Sequence, residues 1–268
     1  MSLLQVIPSA AGATTTLGSR APGKVIVVLP SYNEGPNLGS LFSGIDACMG
    51  DAKLCYEVVL VDDGSSDITA DVLGESSRKY PLTVLQHPRN CGLAETFRDG
   101  LLEALRRAED TDAIVTMDAD GTHIPSVILE MMTLIEGGCD VVVASRFRPG
   151  ATVCGVPAYR QGLSVGASWL CRILFPTHGI RDFTCGYRAI RASVLQEALR
   201  KYGEQQLFDA QGFSCTMDLL LKLRGMKIVF GETPINLRYD LKEGKSKMHV
   251  GSTILHTLAL MLRRRMGF

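Results

Sequence analysis

The sequence predicts an α/β domain: a doubly wound, mostly parallel central sheet with helices on both faces. Two observations carry that prediction. Short apolar runs rich in β-branched residues recur as KVIVVL at 24–29, YEVVLV at 56–61 and DVVVA at 140–144, the pattern of strands buried on both faces. Between them lie segments of helical period, and strands alternating with helices at this spacing belong to a parallel sheet.

Taken in order, 24–29 lies between Pro22-Gly23 and Pro30-Ser31 and is a central strand. The turn SYNEGPN (31–37) leads into an amphipathic helix at 38–48. In that turn Tyr32 can stack on a base and Glu34 can accept hydrogen bonds from base or ribose, or the stretch is a plain loop with a helix cap. The strand 56–61 ends in Asp62-Asp63-Gly64-Ser65-Ser66-Asp67. A carboxylate just past a strand end suits a ribose or a base imino group; Gly64 permits the close turn, and Asp67 suits a helix N-cap. A helix at 68–80, a strand at 82–85, the loop HPRNCG at 87–92 and a helix at 93–108 follow, the last with its N-terminus able to face phosphate. The next elements are a strand at 114–117, a helix at 127–136, the strand 140–144 and a helix at 162–174 carrying Trp169.

The strand 114–117 runs into Asp118-Ala119-Asp120-Gly121-Thr122-His123. If strand geometry persisted, Asp118 and Asp120 would share one face, with Ala119 and Gly121 keeping the approach open. Paired hard oxygens suit Mg²⁺ or Mn²⁺ carrying a diphosphate, and open α/β sheets bind ligands beyond the carboxyl ends of their strands. The alternative is a solvated acidic turn capping the helix that begins near Pro125.

Composition bounds the function. The chain has 268 residues, 46% apolar and 21% charged, enough for one large domain with a sizeable core. Its 28 basic and 28 acidic residues cancel, so no global field argues for nucleic acid. The eight cysteines form neither a Cys-x-x-Cys pair nor a zinc-spaced cluster with histidine, which predicts reduced, buried thiols. Residues 1–23 are expected to be a disordered lead-in lacking the basic flank of a signal peptide. No stretch reaches the roughly 20 apolar residues that cross a bilayer. There is no Gly-x-Gly-x-x-Gly after the first strand and no Gly-Lys-Ser/Thr loop, against a dinucleotide dehydrogenase and a P-loop enzyme.

Seven ordered segments, LPSYNEG (29–35), VDDGSSD (61–67), RNCGLAETFRDG (89–100), MDADGTH (117–123), ASRFRPG (144–150), RDFTCGYRA (181–189) and INLRYDLKEGKSKM (235–248), together resemble a family 2 glycosyltransferase of the GT-A fold. Within it the chain is similar to the dolichol-phosphate mannose synthases and their bacterial polyprenyl-phosphate relatives. The resemblance implies a catalytic domain over 24–248. It matches Pro30, Tyr32 and Glu34 to the nucleotide loop, Asp62 or Asp63 to the base or ribose carboxylate, and Asn90 and Gly92 to the donor loop. Asp118 and Asp120 match the metal-binding pair, with Asp120 the firmer ligand. Thr122 stands where some members place a third ligand, Gln. Arg146 and Arg160 match arginines near the donor and acceptor phosphates, and Arg238, Ser246 and Lys247 match a late segment closing over the site. Leu93-Ala94-Glu95-Thr96 replaces a more glycine-rich loop, and the long gap from Arg238 to Gly244 lets Lys242 share phosphate binding.

The implied reaction is transfer, with inversion, of a mannose- or glucose-type sugar from a GDP- or UDP-sugar to a polyprenyl phosphate, aided by Mg²⁺ or Mn²⁺. The acceptor oxygen is already an anion and needs no base, so Arg146, Arg148, Arg160, Arg238, Lys245 and Lys247 are expected to converge on one cleft holding two anions. A hydroxyl acceptor would need a carboxylate base, for which Asp182 is the candidate; its alternative is a loop carboxylate paired to Arg181 or Arg188. His123 is expected to hydrogen-bond within the acidic loop rather than to ligate metal.

The C-terminal unit, 249–268, holds an apolar helix at 250–262 followed by Arg263-Arg264-Arg265. It can lie on a bilayer with its arginines at anionic headgroups, or pack on the domain with cations in its last turn. A polyprenyl acceptor favours the first, with the protein peripheral at the cytoplasmic face of a membrane. Contact would then run through this helix, residues 155–175 or a membrane partner protein. Rival readings are a glycosyltransferase with a soluble hydroxyl acceptor, a nucleotidyltransferase and a non-catalytic binding module.

Overall fold

The computed structural model describes residues 23–241 and 250–266. The expected lead-in lies outside them except Gly23, as do Lys242, Gly244, Lys245, Ser246, Lys247, Met248 and His249. In chain order the elements are β1 (Val25–Ser31), α1 (Gly35–Asp51), β2 (Tyr56–Asp62), α2 (Thr69–Ser76), β3 (Leu82–Gln86), α3 (Leu93–Arg107), β4 (Ala113–Thr116), α4 (Val127–Glu136) and β5 (Val141–Ser145). Then come β6 (Thr152–Cys154), α5 (Ala158–Leu174), β7 (Arg188–Arg191), α6 (Ala192–Leu207), α7 (Cys215–Leu223), β8 (Phe230–Pro234), β9 (Asn236–Arg238) and α8 (Val250–Arg265).

Seven strands form one sheet in the order β3-β2-β1-β4-β7-β5-β8. Its pairs are parallel except those of β7, which runs antiparallel to both β4 and β5. Val25 to Leu29 of β1 are all 0% exposed, which explains why the central strand is a continuous apolar run rather than an alternating one. On α3, Phe97, Leu101 and Ala104 are buried at i, i+4 and i+7. Gly100 sits on the same face, where a Cβ would come 2.6 Å from Val28 and 3.2 Å from Val61, so the helix rides directly on β1 and β2.

A second, two-stranded parallel sheet joins β6 to β9, and Leu237 of β9 bridges back to His123. That small sheet ties the late segment of the chain to the loop after β4. Cys171, Cys185 and Cys215 are buried free thiols whose pKa burial pushes up to about 12, making them packing groups. Among the described residues no helix is long and apolar enough to cross a membrane.

Candidate active site

The site forms where β1, β2 and β4 end. The loops after β1 and β2 are laced together: Asn33 N donates to Ser65 Oγ (2.8 Å), Ser66 N to Asn33 Oδ1 (2.8 Å) and Gly35 N to Thr69 Oγ1 (2.9 Å). Asn33 holds φ +52°, a left-handed conformation that asparagine tolerates. The N-cap of α2 is Ile68 rather than the expected Asp67, which lies one residue earlier and accepts from Thr69 N (2.9 Å). Pro30 and Tyr32 are half-buried, Asn90 is exposed, and Glu34 is buried with Oε2 accepting from Asn37 Nδ2 (2.8 Å).

The two carboxylates at the end of β2 both hold backbone groups of the surrounding loops. Asp63 is buried and accepts from Cys91 N and Gly92 N (2.8 Å each), with His87 Nδ1 at 2.7 Å. Its oxygens hold the 87–92 loop. Asp62, also buried, accepts from Ser65 N (3.1 Å) and organises its own turn. His87 Nε2 meets Asp99 Oδ2 at 3.0 Å, so the imidazole is clamped between two carboxylates. Burial pulls its pKa down, but Asp63 and Asp99 outweigh that and hold it above the ordinary histidine value.

Strand geometry stops at Thr116, so Asp118 and Asp120 do not share a strand face. The chain turns instead, with Gly121 at φ +75°. The Asp118 side chain is 55% exposed, whereas Asp120 is only 9% exposed. Thr122 donates its hydroxyl (2.6 Å) and its N–H (3.2 Å) to Asp120 Oδ1. Thr122, expected as a third ligand, thus fixes the rotamer of the carboxylate beside it. His123 Nδ1 accepts from Asp118 N (3.0 Å), and its ring stacks on the fully buried Tyr187 at 4.8 Å. This is the within-loop bond expected of it. Arg238 N donates to Thr122 O (3.0 Å), so β9 clamps the loop from the other side.

Asp118 and Asp120 line a cavity of about 900 Å³ together with Arg146 and Arg160. Arg146 donates Nε (2.8 Å) and Nη2 (2.7 Å) to the two oxygens of Asp182, and Nη2 also to Thr184 Oγ1 (2.5 Å). Asp182 is 0% exposed and further accepts from Arg146 N, Thr184 N and Cys185 N. Burial raises its pKa, but the Arg146 guanidinium more than offsets this and holds the carboxyl below the usual carboxylate range. Its partner is therefore neither Arg181 nor Arg188. A carboxylate so enclosed cannot reach an acceptor hydroxyl, which removes the geometric basis for Asp182 as a base. Arg160 Nη1 donates to Tyr239 Oη (2.9 Å). The expected convergence of cations is partial: Arg238 pairs with Asp240 (2.8 Å) away from the cavity lining, and Arg148 lines a different concavity.

Residues 26–199 match the family model described as glycosyl transferase family 2. The chain belongs to that family. This family 2 glycosyltransferase is 35% identical over 241 residues to a dolichol-phosphate mannosyltransferase of Pyrococcus furiosus, covering 90% of this chain and 63% of that one. It is 32% identical over 240 residues to a polyprenol monophosphomannose synthase of Mycolicibacterium smegmatis, covering 88% and 84%. In three dimensions it is similar, with a TM-score of 0.60, 18% identity and coverage of 91% and 80%, to a glucosyl-3-phosphoglycerate synthase of Mycobacterium tuberculosis crystallised with Mn²⁺, UDP and glucosyl-3-phosphoglycerate. The shared architecture is the GT-A fold.

A large apolar part of the glycosyltransferase's cavity wall comes from α5 (Leu163, Leu170) and α8 (Ile254, Leu258, Met261), with Phe213 and Met217 beside them. The last turn of α8 departs from the membrane-surface expectation: Arg263 pairs with Asp209 (2.8 Å), and Arg264 with Asp218 (2.6 Å) and Asp209 (2.8 Å). Lys222 joins the same two carboxylates at 2.5 and 2.6 Å. The basic end is thus fastened to the domain, whereas Leu255 and Leu262 on α8 stay exposed. The contacts of His87 with Asp63 and Asp99, of Thr184 with Arg146 and of Tyr239 with Arg160 join residues 12 to 79 positions apart, and no local sequence pattern marks them.

Proposed function

We propose that the protein transfers a mannose- or glucose-type sugar from a GDP- or UDP-sugar to a polyprenyl phosphate, inverting the anomeric carbon. The observation that carries this reading is one cavity of about 900 Å³ lined both by Asp118, Asp120, Arg146 and Arg160 and by the apolar faces of α5 and α8. A soluble, polar acceptor has no need of the second set; an isoprenoid chain does.

The donor set fits a divalent cation. Asp118 offers an accessible carboxylate and Asp120 one whose orientation Thr122 fixes, a pair of hard oxygens suited to Mg²⁺ or Mn²⁺. When bound there, the ion supplies charge neutralisation for the departing nucleoside diphosphate. The protein's own groups do the rest. Arg146, its fork set by Asp182 and Thr184, and Arg160, set by Tyr239, hold the acceptor phosphate. The phosphate oxygen attacks as an anion, so no side chain takes up a proton, and Asp182 serves to orient Arg146. Tyr32 and Glu34 are assigned to the nucleotide, with Pro30, Asn90 and Gly92 shaping its loops. Exposed Trp169 and Ile173 on α5 favour work at a membrane surface, and the free cysteines favour its cytoplasmic face.

The test is a screen of nucleotide sugars with Mg²⁺ or Mn²⁺ and a short polyprenyl phosphate, following nucleoside diphosphate release. The expected result is release that Asp120→Asn abolishes; no release with any pair contradicts the proposal.

A further inference from the structure

A second concavity, of about 760 Å³, shares no lining residue with the catalytic cavity. Its charged wall comes from three separate parts of the chain. Arg148 follows β5, Arg172 lies in the last turn of α5, and His178 and Arg181 lie between α5 and β7. All four side chains are exposed, and among the described residues none of them makes a hydrogen bond or ion pair. Glu232 is the carboxylate on that wall, but it is turned inward: Oε1 accepts from Arg181 N (2.6 Å) and Asp182 N (2.7 Å). Burial also raises its pKa. Three guanidinium groups gathered around a hollow without a neutralising partner repel one another and await an anion, and the planar fork of arginine suits phosphate.

What the hollow adjoins selects the kind of phosphate. One face of α5 lines the catalytic cavity, but another presents Val165, Trp169 and Ile173, spaced four apart, at 51%, 64% and 57% exposure. Arg172 lies three residues beyond Trp169 and next to Ile173, so the apolar stripe runs directly into the basic hollow. A free phosphate has no use for that stripe. A lipid presents an anionic head and an apolar boundary together, and tryptophan favours the level where they meet.

We propose that Arg148, Arg172 and Arg181, with His178, bind the headgroup phosphate of an anionic membrane phospholipid while the Val165-Trp169-Ile173 stripe lies in the acyl boundary. This site is separate from the acceptor phosphate held at Arg146 and Arg160, and it docks the protein whether or not donor is present.

The test is flotation of the full chain with phosphatidylcholine vesicles against phosphatidylcholine–phosphatidylglycerol vesicles. Wild type should favour the mixed vesicles. Arg172→Gln with Arg181→Gln should weaken that binding about thirtyfold, at about fivefold per basic residue near an anionic surface. Both side chains are exposed, so the double variant should keep its fold and its turnover of a water-soluble short-chain acceptor, which separates failure of docking from failure of the proposed reaction. Trp169→Ser should weaken binding to both kinds of vesicle. Equal binding of wild type to neutral and mixed vesicles overturns the proposal, as does full binding by the double variant. Inorganic phosphate that raises the melting temperature of wild type but not of the double variant, while vesicle binding ignores the substitutions, would make this a free-anion site and overturns it equally.

Discussion

Asp182→Ala is the substitution through which the site's internal support is best measured. Asp182 is 0% exposed and takes the Nε and Nη2 of Arg146 at 2.8 and 2.7 Å, with Thr184 N and Cys185 N at 3.2 and 3.1 Å. Removing one member of a buried, hydrogen-bonded ion pair costs about 3–5 kcal/mol, because the other charge is stranded. Arg146 keeps 22% of its side chain exposed and regains some hydration, which places Asp182→Ala near the lower end, at about 3 kcal/mol. Arg146→Ala strands a fully enclosed carboxylate and falls nearer the upper end. Urea unfolding of both single variants and the double variant should give a coupling energy of about 2–3 kcal/mol with unchanged m. In a chain of this size the Asp182 loss lowers Tm by roughly 6–12 °C. Because the folded pKa of Asp182 is depressed, its contribution is present above the unfolded value of about 3.9 and is lost as pH falls through the folded value. A coupling below about 0.5 kcal/mol would refute the claim that Asp182 holds Arg146 in place.

Two other expectations follow from the same geometry. The His87 pKa is raised, so its contribution is fully present below the unfolded value of about 6.5 and lost as pH rises through the folded value; melting curves from pH 6 upward should fall more steeply for wild type than for His87→Gln, and parallel curves would contradict the clamp between Asp63 and Asp99. Thr122→Val removes the hydroxyl that orients Asp120 and should raise the Mn²⁺ concentration for half-maximal activity about 10- to 100-fold while leaving activity at saturating metal largely intact; an unchanged Mn²⁺ requirement would contradict the orienting role.

The parallel core was legible because burial on both faces writes itself into sequence as continuous apolar runs, and β1 is such a run. β7 was not, since Arg188-Ala189-Ile190-Arg191 looks like a surface segment. Yet it sits mid-sheet with Arg188 2% exposed, its guanidinium donating to the Phe183 and Thr216 carbonyls. Only tertiary packing supplies such partners. Asp118 and Asp120 could be found because they lie together at a strand end. The turn that separates their environments could not, nor could the pairing of Asp182 with Arg146 across 36 residues in preference to its neighbours Arg181 and Arg188. The arginines of α8 misled for a related reason: a basic cluster beside an apolar helix has the same pattern whether it meets lipid or, as here, Asp209 and Asp218.

The most direct measurement compares a polyprenyl phosphate with the matching polyprenol as acceptor, at equal chain length and with the same nucleotide sugar and divalent ion, by mass spectrometry of the lipid product. A cavity that pairs arginines with an apolar groove, with Asp182 enclosed behind Arg146 where it cannot act as a base, predicts glycosylated lipid phosphate and no glycosylated polyprenol. Comparable glycosylation of the alcohol would contradict it.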